Sequence, residues 1–124
     1  MSTVRIRLVA GDAKAIRRTI TDIPAGKVVA KAWFTVKAKV ADADEDAVIQ
    51  KIITAAPGAD GTVEDAGSSG TAIVRFDLQF EDTAALVPEQ RYVFDLQVLL
   101  DDGGPYTPLE GTLVAAAQVT QAET

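Results

Sequence analysis

The chain has 124 residues, with 12 Lys and Arg against 18 Asp and Glu, a formal net charge of −6. Its 48% hydrophobic and 24% charged content is that of a globular chain, and a domain of this length buries roughly two-thirds of the surface its unfolded form exposes. The sequence contains no Cys and no His, which removes disulfide frameworks, thiolate nucleophiles, imidazole bases and the zinc and haem sites built on those ligands.

The N-terminal residues Met1-Ser2-Thr3-Val4-Arg5-Ile6-Arg7 lack the apolar run of a signal peptide. The apolar runs are all far shorter than the roughly 20 residues of a membrane span, so no membrane partner is expected. Val4, Ile6 and Leu8 alternate with Arg5 and Arg7 and predict a short first strand ending at Gly11-Asp12. A second strand is expected over 14–21, with Ile16, Arg18 and Ile20 on one face. Asp22-Ile23-Pro24-Ala25-Gly26 is a turn by composition. The clearest alternation runs from Ala30 to Val40: Ala32, Phe34, Val36, Ala38 and Val40 face one way, Lys31, Trp33, Thr35, Lys37 and Lys39 the other. A helix would scatter these lysines around its cylinder, so the segment is a strand.

After the acidic run Asp42-Ala43-Asp44-Glu45-Asp46, residues 48–54 read as a strand, and Ala55–Gly61 and Gly67–Gly70 as a loop and a turn. Thr71–Phe80 alternates again, with Ala72, Val74, Phe76, Leu78 and Phe80 directed inward. Glu81–Leu86 has the length of one helical turn, stopped by Pro88. Arg91–Leu100 puts Tyr92, Phe94, Leu96, Val98 and Leu100 on one face and Asp95 and Gln97 on the other. Asp101-Asp102-Gly103-Gly104 is a hairpin signal leading into a last strand within 106–119, and Thr120–Thr124 reads as a tail. Seven to eight antiparallel strands with regular turn signals predict an all-β, immunoglobulin-like β-sandwich occupying residues 1–124 as one domain, with a small barrel as the other closed solution.

Candidate chemistry is sparse. The 42–46 run carries acids at positions 1, 3 and 5 of a calcium loop, but Ala47 stands where position 6 needs glycine and Ile53 where position 12 needs glutamate. Asp101 and Asp102 are adjacent in a glycine turn, which serves the turn and not a carboxylate pair across a cleft. Ser68 and Ser69 have no suggested base. No catalytic residue, cofactor or metal is therefore expected, and the chain is read as a non-enzyme. Lys31, Trp33, Lys37 and Lys39 form a ladder with two readings: a contact surface, because an exposed Trp among lysines is a common protein-contact pattern, or a solvated sheet face whose lysines deter edge-to-edge pairing. The loop acids Asp42, Asp44, Glu45 and Asp46 are the second contact candidate. Charge is also unevenly spread: residues 1–40 carry a net +7 and residues 41–124 a net −13. The acidic total argues against nucleic acid as a partner, while the split suits contacts between copies.

The most specific text is Glu81-Asp82-Thr83-Ala84-Ala85-Leu86-Val87-Pro88-Glu89-Gln90-Arg91-Tyr92-Val93-Phe94-Asp95-Leu96-Gln97-Val98. It resembles a pattern of tailed-phage and prophage structural proteins: an Asp-Thr-x-x-Leu turn, a short loop, then Tyr-x-(Tyr/Phe)-Asp-(Leu/Ile)-(Gln/Glu). In order along the chain, Gly11-Asp12, Val48–Ile53, Leu109–Leu113 and Val119-Thr120 resemble it too. The whole is similar to the immunoglobulin-like module at the N-terminus of phage baseplate upper proteins. The loop before Tyr92 departs from the pattern, with Glu89-Gln90-Arg91 where glycine is common, so a different turn geometry is expected there. The further domains that carry receptor binding in those proteins have no counterpart in this sequence, so host recognition does not carry over. The resemblance implies a virion structural protein, made in the host cytoplasm and present in many copies, docked on other virion proteins at the tail, baseplate or capsid surface. A carbohydrate-binding or adhesion module on the particle is the alternative. Asp82, Leu86 and Tyr92 have folding roles in this reading: Asp82 caps the turn, Leu86 plugs the sandwich and Tyr92 makes a tyrosine corner.

Overall fold

A computed structural model describes residues 2–21, 23–24, 26–39, 47–101 and 103–116. Among them lie eight strands and one short helix: β1 (Ser2–Val9), β2 (Lys14–Ile20), β3 (Val29–Lys37), β4 (Ile49–Thr54), β5 (Gly61–Asp65), β6 (Ala72–Leu78), α1 (Phe80–Ala84), β7 (Arg91–Leu100) and β8 (Pro105–Ala116). The strands pair into a five-stranded sheet in the order β1-β8-β7-β3-β4 and a three-stranded sheet in the order β2-β6-β5. Every pairing is antiparallel except β1 with β8, which run parallel from Ser2↔Leu109 to Val9↔Ala116.

This arrangement is an immunoglobulin-like β-sandwich. Its β2-β6-β5 sheet corresponds to the B, E and D strands, and β8-β7-β3-β4 to G, F, C and one added strand of the variable-type layout. Alternation drives the packing, since each strand sends every second side chain between the sheets. The core joins Ile16 and Ile20 of β2, Ala32, Phe34 and Val36 of β3, Ile49 and Ile53 of β4, and Val74, Phe76 and Leu78 of β6. Tyr92, Phe94, Leu96 and Val98 of β7 and Leu113 of β8 complete it. Phe34 sits at its centre, 5.6 Å from the rings of both Phe76 and Phe94 at tilted angles of 38° and 40°, a geometry favoured by the ring quadrupoles.

Several expectations change. Alternation predicts Phe80 as the inward end of its strand, but it is 60% exposed. Strand β6 stops at Leu78, and Phe80 opens α1, so the period of 2 no longer governs its direction. Strand β3 ends at Lys37, Ala38 is exposed, and Val40 lies outside the described residues. Residues 61–65 form a strand, β5, which alternation does not announce. Gly61 begins it at φ +125°, where a Cβ would stand 2.0 Å from the Arg75 carbonyl oxygen, so the close pairing with β6 requires glycine. The acidic run 42–46 and the tail 120–124 lie outside the described residues.

The segment between β6 and β7 closes one end of the sandwich. Asp82 accepts a hydrogen bond from the Gln79 backbone N–H at 2.7 Å, holding the start of α1. The hydroxyl of buried Thr83 donates to the Asp12 carbonyl at 2.6 Å, tying α1 to the β1–β2 turn. Leu86 is buried, and the Tyr92 hydroxyl accepts a hydrogen bond from the Val87 N–H at 2.8 Å. Glu89 adopts φ +71°, so the loop takes the left-handed conformation that glycine would favour without having a glycine.

Candidate functional site

The lysine and tryptophan ladder of β3 lies on the outer face of the five-stranded sheet, and strand register supplies its neighbours. Trp33 stands between Ile52 of β4 and Gln97 of β7. One row along, Gln50, Thr35, Asp95 and Glu110 follow one another across β4, β3, β7 and β8. In the next row, Lys37, Val93, Thr112 and Arg5 cross β3, β7, β8 and β1. Together these rows border a trough of about 540 Å³ lined by Trp33, Thr35, Lys37, Gln50, Phe94, Asp95, Gln97, Glu110 and Gly111 among others.

Its side chains are held by one another. The Lys31 ammonium sits 5.3 Å from the Trp33 ring centroid, a cation–π contact. The Gln50 amide donates to the Thr35 hydroxyl at 3.3 Å, and Thr35 is buried although it points outward. Asp95 and Glu110 face each other directly across two strands, a like-charge juxtaposition that costs stability in an isolated sheet. Trp33, Lys31 and Lys37 are half-buried, Gln50, Gln97 and Glu110 exposed, and Ile52 is exposed at 42%. The face is thus acidic over β7 and β8, and rich in donors and apolar surface over β3 and β4.

The structure brings Lys31, Trp33 and Lys37 together on this face, while Lys39 lies beyond the end of β3 and is exposed. Asp42, Asp44, Glu45 and Asp46 lie outside the described residues. Sequence reasoning missed Gln50, Glu110 and Thr112 as parts of the face. Their outward phase was readable strand by strand, but only the non-local order β8-β7-β3-β4 shows that they adjoin Trp33.

Two further charged groups lie off this face. Lys51 points inward between Ile49 and Ile53 and is itself buried. Its ammonium meets Asp82 at 2.7 Å and Asp60 at 3.5 Å. Burial disfavours the charge, but the hydrogen bond and field of Asp82, with those of Asp60, outweigh it and leave the Lys51 pKa raised. On the outer face of the small sheet, Arg17 and Arg75 oppose each other, and Glu64 bridges both. The Arg17 hydrogen bond holds the Glu64 carboxyl below its ordinary value, and bidentate Asp77 raises Arg75 further. Asp101, in the β7–β8 turn, accepts from the Val28 N–H at 3.3 Å and donates its own N–H to the Val28 carbonyl at 2.9 Å. Among the described residues no cluster of three or more acids is arranged to hold a metal ion.

No protein-family model and no curated protein matches the chain. Among solved structures, the NK cell receptor Nkp44, a triggering partner in natural cytotoxicity, is 17% identical, covers 94% of this chain and 100% of its own, and has a TM-score of 0.48. A structure from work on the multimeric cell-adhesive interactions of voltage-gated sodium channel β subunits is 11% identical over 95% of this chain and 93% of its own, with a TM-score of 0.42. The extracellular domain of the sodium channel β4 subunit is 14% identical over 94% and 93%, with a TM-score of 0.37. The immunoglobulin-like assignment rests on the strand order and register described above.

Proposed function

We propose that this chain is a non-enzymatic structural module of a bacteriophage virion, an immunoglobulin-like sandwich that docks on other virion proteins at the tail, baseplate or capsid surface. The observation that carries the docking role is the outer face of the five-stranded sheet, where Trp33, Lys37, Gln50, Asp95 and Glu110 line a mixed-charge trough with Ile52 exposed beside Trp33. Such a face combines an aromatic anchor with polar groups that select a partner. Placement on a phage particle is supported by the resemblance of residues 81–98 and the flanking segments to phage structural proteins. A binding role agrees with the side chains available. Asp95 and Glu110 stand side by side in this trough, paired directly across β7 and β8.

The test is mass spectrometry of gradient-purified particles from a phage or induced prophage that encodes the chain. The protein should be present in many copies per particle. Its absence from intact particles would overturn the virion reading.

The trough also suits the alternative of a carbohydrate-binding or adhesion module, since Gln50, Gln97, Asp95 and Glu110 could meet sugar hydroxyls beside Trp33. Binding on a glycan array that Trp33→Ala abolishes would favour that alternative.

A further inference from the structure

We infer that the open edge of β1 takes up an extended segment of a partner protein as an antiparallel sixth strand, a segment with acids at two alternate positions and an apolar residue between them. This contact lies beyond the trough of the docking role proposed above, and its geometry does not depend on that role.

The two sheets present four edges, β1 and β4 on the large sheet and β2 and β5 on the small one. Three of them are guarded. On β4, Asp60 accepts a hydrogen bond from the Ile52 N–H at 3.1 Å, and the Thr62 hydroxyl donates to the Thr54 carbonyl at 3.2 Å. Side chains thus occupy groups that an added strand needs. Strand β5 has five residues and a register shift between Val63 and Asp65. Strand β2 carries half-buried Arg18 in the inward phase of Ile16 and Ile20. Short or bulged edges and inward charges are ordinary defences against strand addition. Strand β1 differs. It holds unbroken register with β8 over eight residues and buries Ile6 and Leu8.

The phase of its ladder shows which backbone groups face outward. The Ala10 N–H donates to the Ala116 carbonyl at 2.8 Å, while Val9 is the residue paired with Ala116. In a parallel ladder, alternate residues direct both backbone groups to the same side. The even-numbered residues of β1 therefore bond β8, and Arg5 and Arg7 turn their N–H and C=O to the open edge. Among the described residues no side chain caps these groups.

The side chains select the partner. Arg5 and Arg7 are exposed on the outer face about 6.6 Å apart, with exposed Arg91 beyond Val114 in the Arg7 row. Among the described residues no acid pairs with any of the three. A second β1 on this edge sets arginine against arginine, whereas a strand with carboxylates opposite Arg5 and Arg7 adds two ion pairs to its backbone bonds. The residue between those acids points inward beside Ile6, so an apolar one extends the core. One row on, Thr3 pairs with Glu110, which limits the acids to two.

The probe is the end-blocked peptide Thr-Glu-Val-Glu-Val-Thr, titrated to about 2 mM against the isotope-labelled full chain and followed by amide shifts and hydrogen exchange. Exchange of the Arg5 and Arg7 amides should slow while that of Ile52 stays unchanged. The lysine counterpart Thr-Lys-Val-Lys-Val-Thr and the reordered Glu-Glu-Thr-Thr-Val-Val should bind at least roughly tenfold more weakly. The double variant Arg5→Glu with Arg7→Glu, checked for folding by circular dichroism, should prefer the lysine peptide by a similar factor. Methylation of both glutamate nitrogens, which face β1 in antiparallel register, should abolish binding, and methylation of both valine nitrogens should leave it within about threefold. Absence of binding at the highest concentration overturns the inference. So does binding that survives both methylations, that the reordered peptide matches, or that leaves the Arg5 and Arg7 amides unprotected. Particles that contain the chain, with an edge that takes no peptide, would remove this contact and keep the virion role. An edge that takes the peptide in a chain absent from particles would do the reverse.

Discussion

At the residue scale, one end of the sandwich is fixed by single hydrogen bonds whose removal has a calculable cost. Tyr92→Phe keeps the buried ring and deletes the acceptor of the Val87 N–H. Because Val87 is exposed and water can replace the lost partner, a loss of about 1 kcal/mol is expected in urea unfolding. Two residues away from Val87, Glu89 bears φ +71°, a conformation that costs a side-chain-bearing residue about 1 kcal/mol relative to glycine. Glu89→Gly should therefore stabilise the chain by about 0.5–1 kcal/mol, although it shortens an exposed side chain and touches no core contact. Lys51 carries a larger effect. Lys51→Met strands Asp82 and Asp60 without their buried cation and should cost about 1–3 kcal/mol at neutral pH, less than a fully buried pair because both carboxylates reach solvent. Since the folded-state pKa of Lys51 is raised, its contribution is complete below the ordinary lysine value of 10.5 and is lost as pH rises through the raised value. The stability gap between wild type and Lys51→Met should therefore be constant across neutral pH and narrow in strong alkali.

At the element scale, legibility followed burial. Strands β3, β6 and β7 each alternate over at least seven residues because both sheets bury one face of them, and their inward sets (Phe34 and Val36, Val74 and Phe76, Tyr92 to Val98) read directly from the sequence. Strand β5 did not, since its five residues hold a single large apolar side chain, Val63, and its start depends on a glycine approaching the Arg75 backbone. Alternation also overran its limits at Phe80, where a helical turn took over from the strand. The three phenylalanines at the centre join both sheets: Phe34 and Phe94 come from the large sheet, Phe76 from the small one. Phe34→Ala should cost about 3–5 kcal/mol and loosen both sheets together in a single unfolding transition.

At the scale of the whole molecule, charge read along the chain and charge read across the fold tell different stories. The basic first third does not form a basic half of the protein. Its strands interleave with acidic ones, so Lys37 of β3 lies one row from Asp95 of β7, and Arg5 of β1 lies beside Thr112 of β8, one row from Glu110. This converts a lengthwise polarity into a banded face. The residues of that face were legible one strand at a time, but their assembly was not, because the order β1-β8-β7-β3-β4 joins segments up to about a hundred positions apart. Trp33 is the chain's only tryptophan and lies on this face, so its fluorescence reports the docking surface and nothing else. The most direct test is the Trp33 emission and acrylamide quenching of the chain, free at low concentration and in its purified assembly. The docking account predicts a blue shift and reduced quenching on assembly; emission and quenching that stay those of the free chain would contradict it.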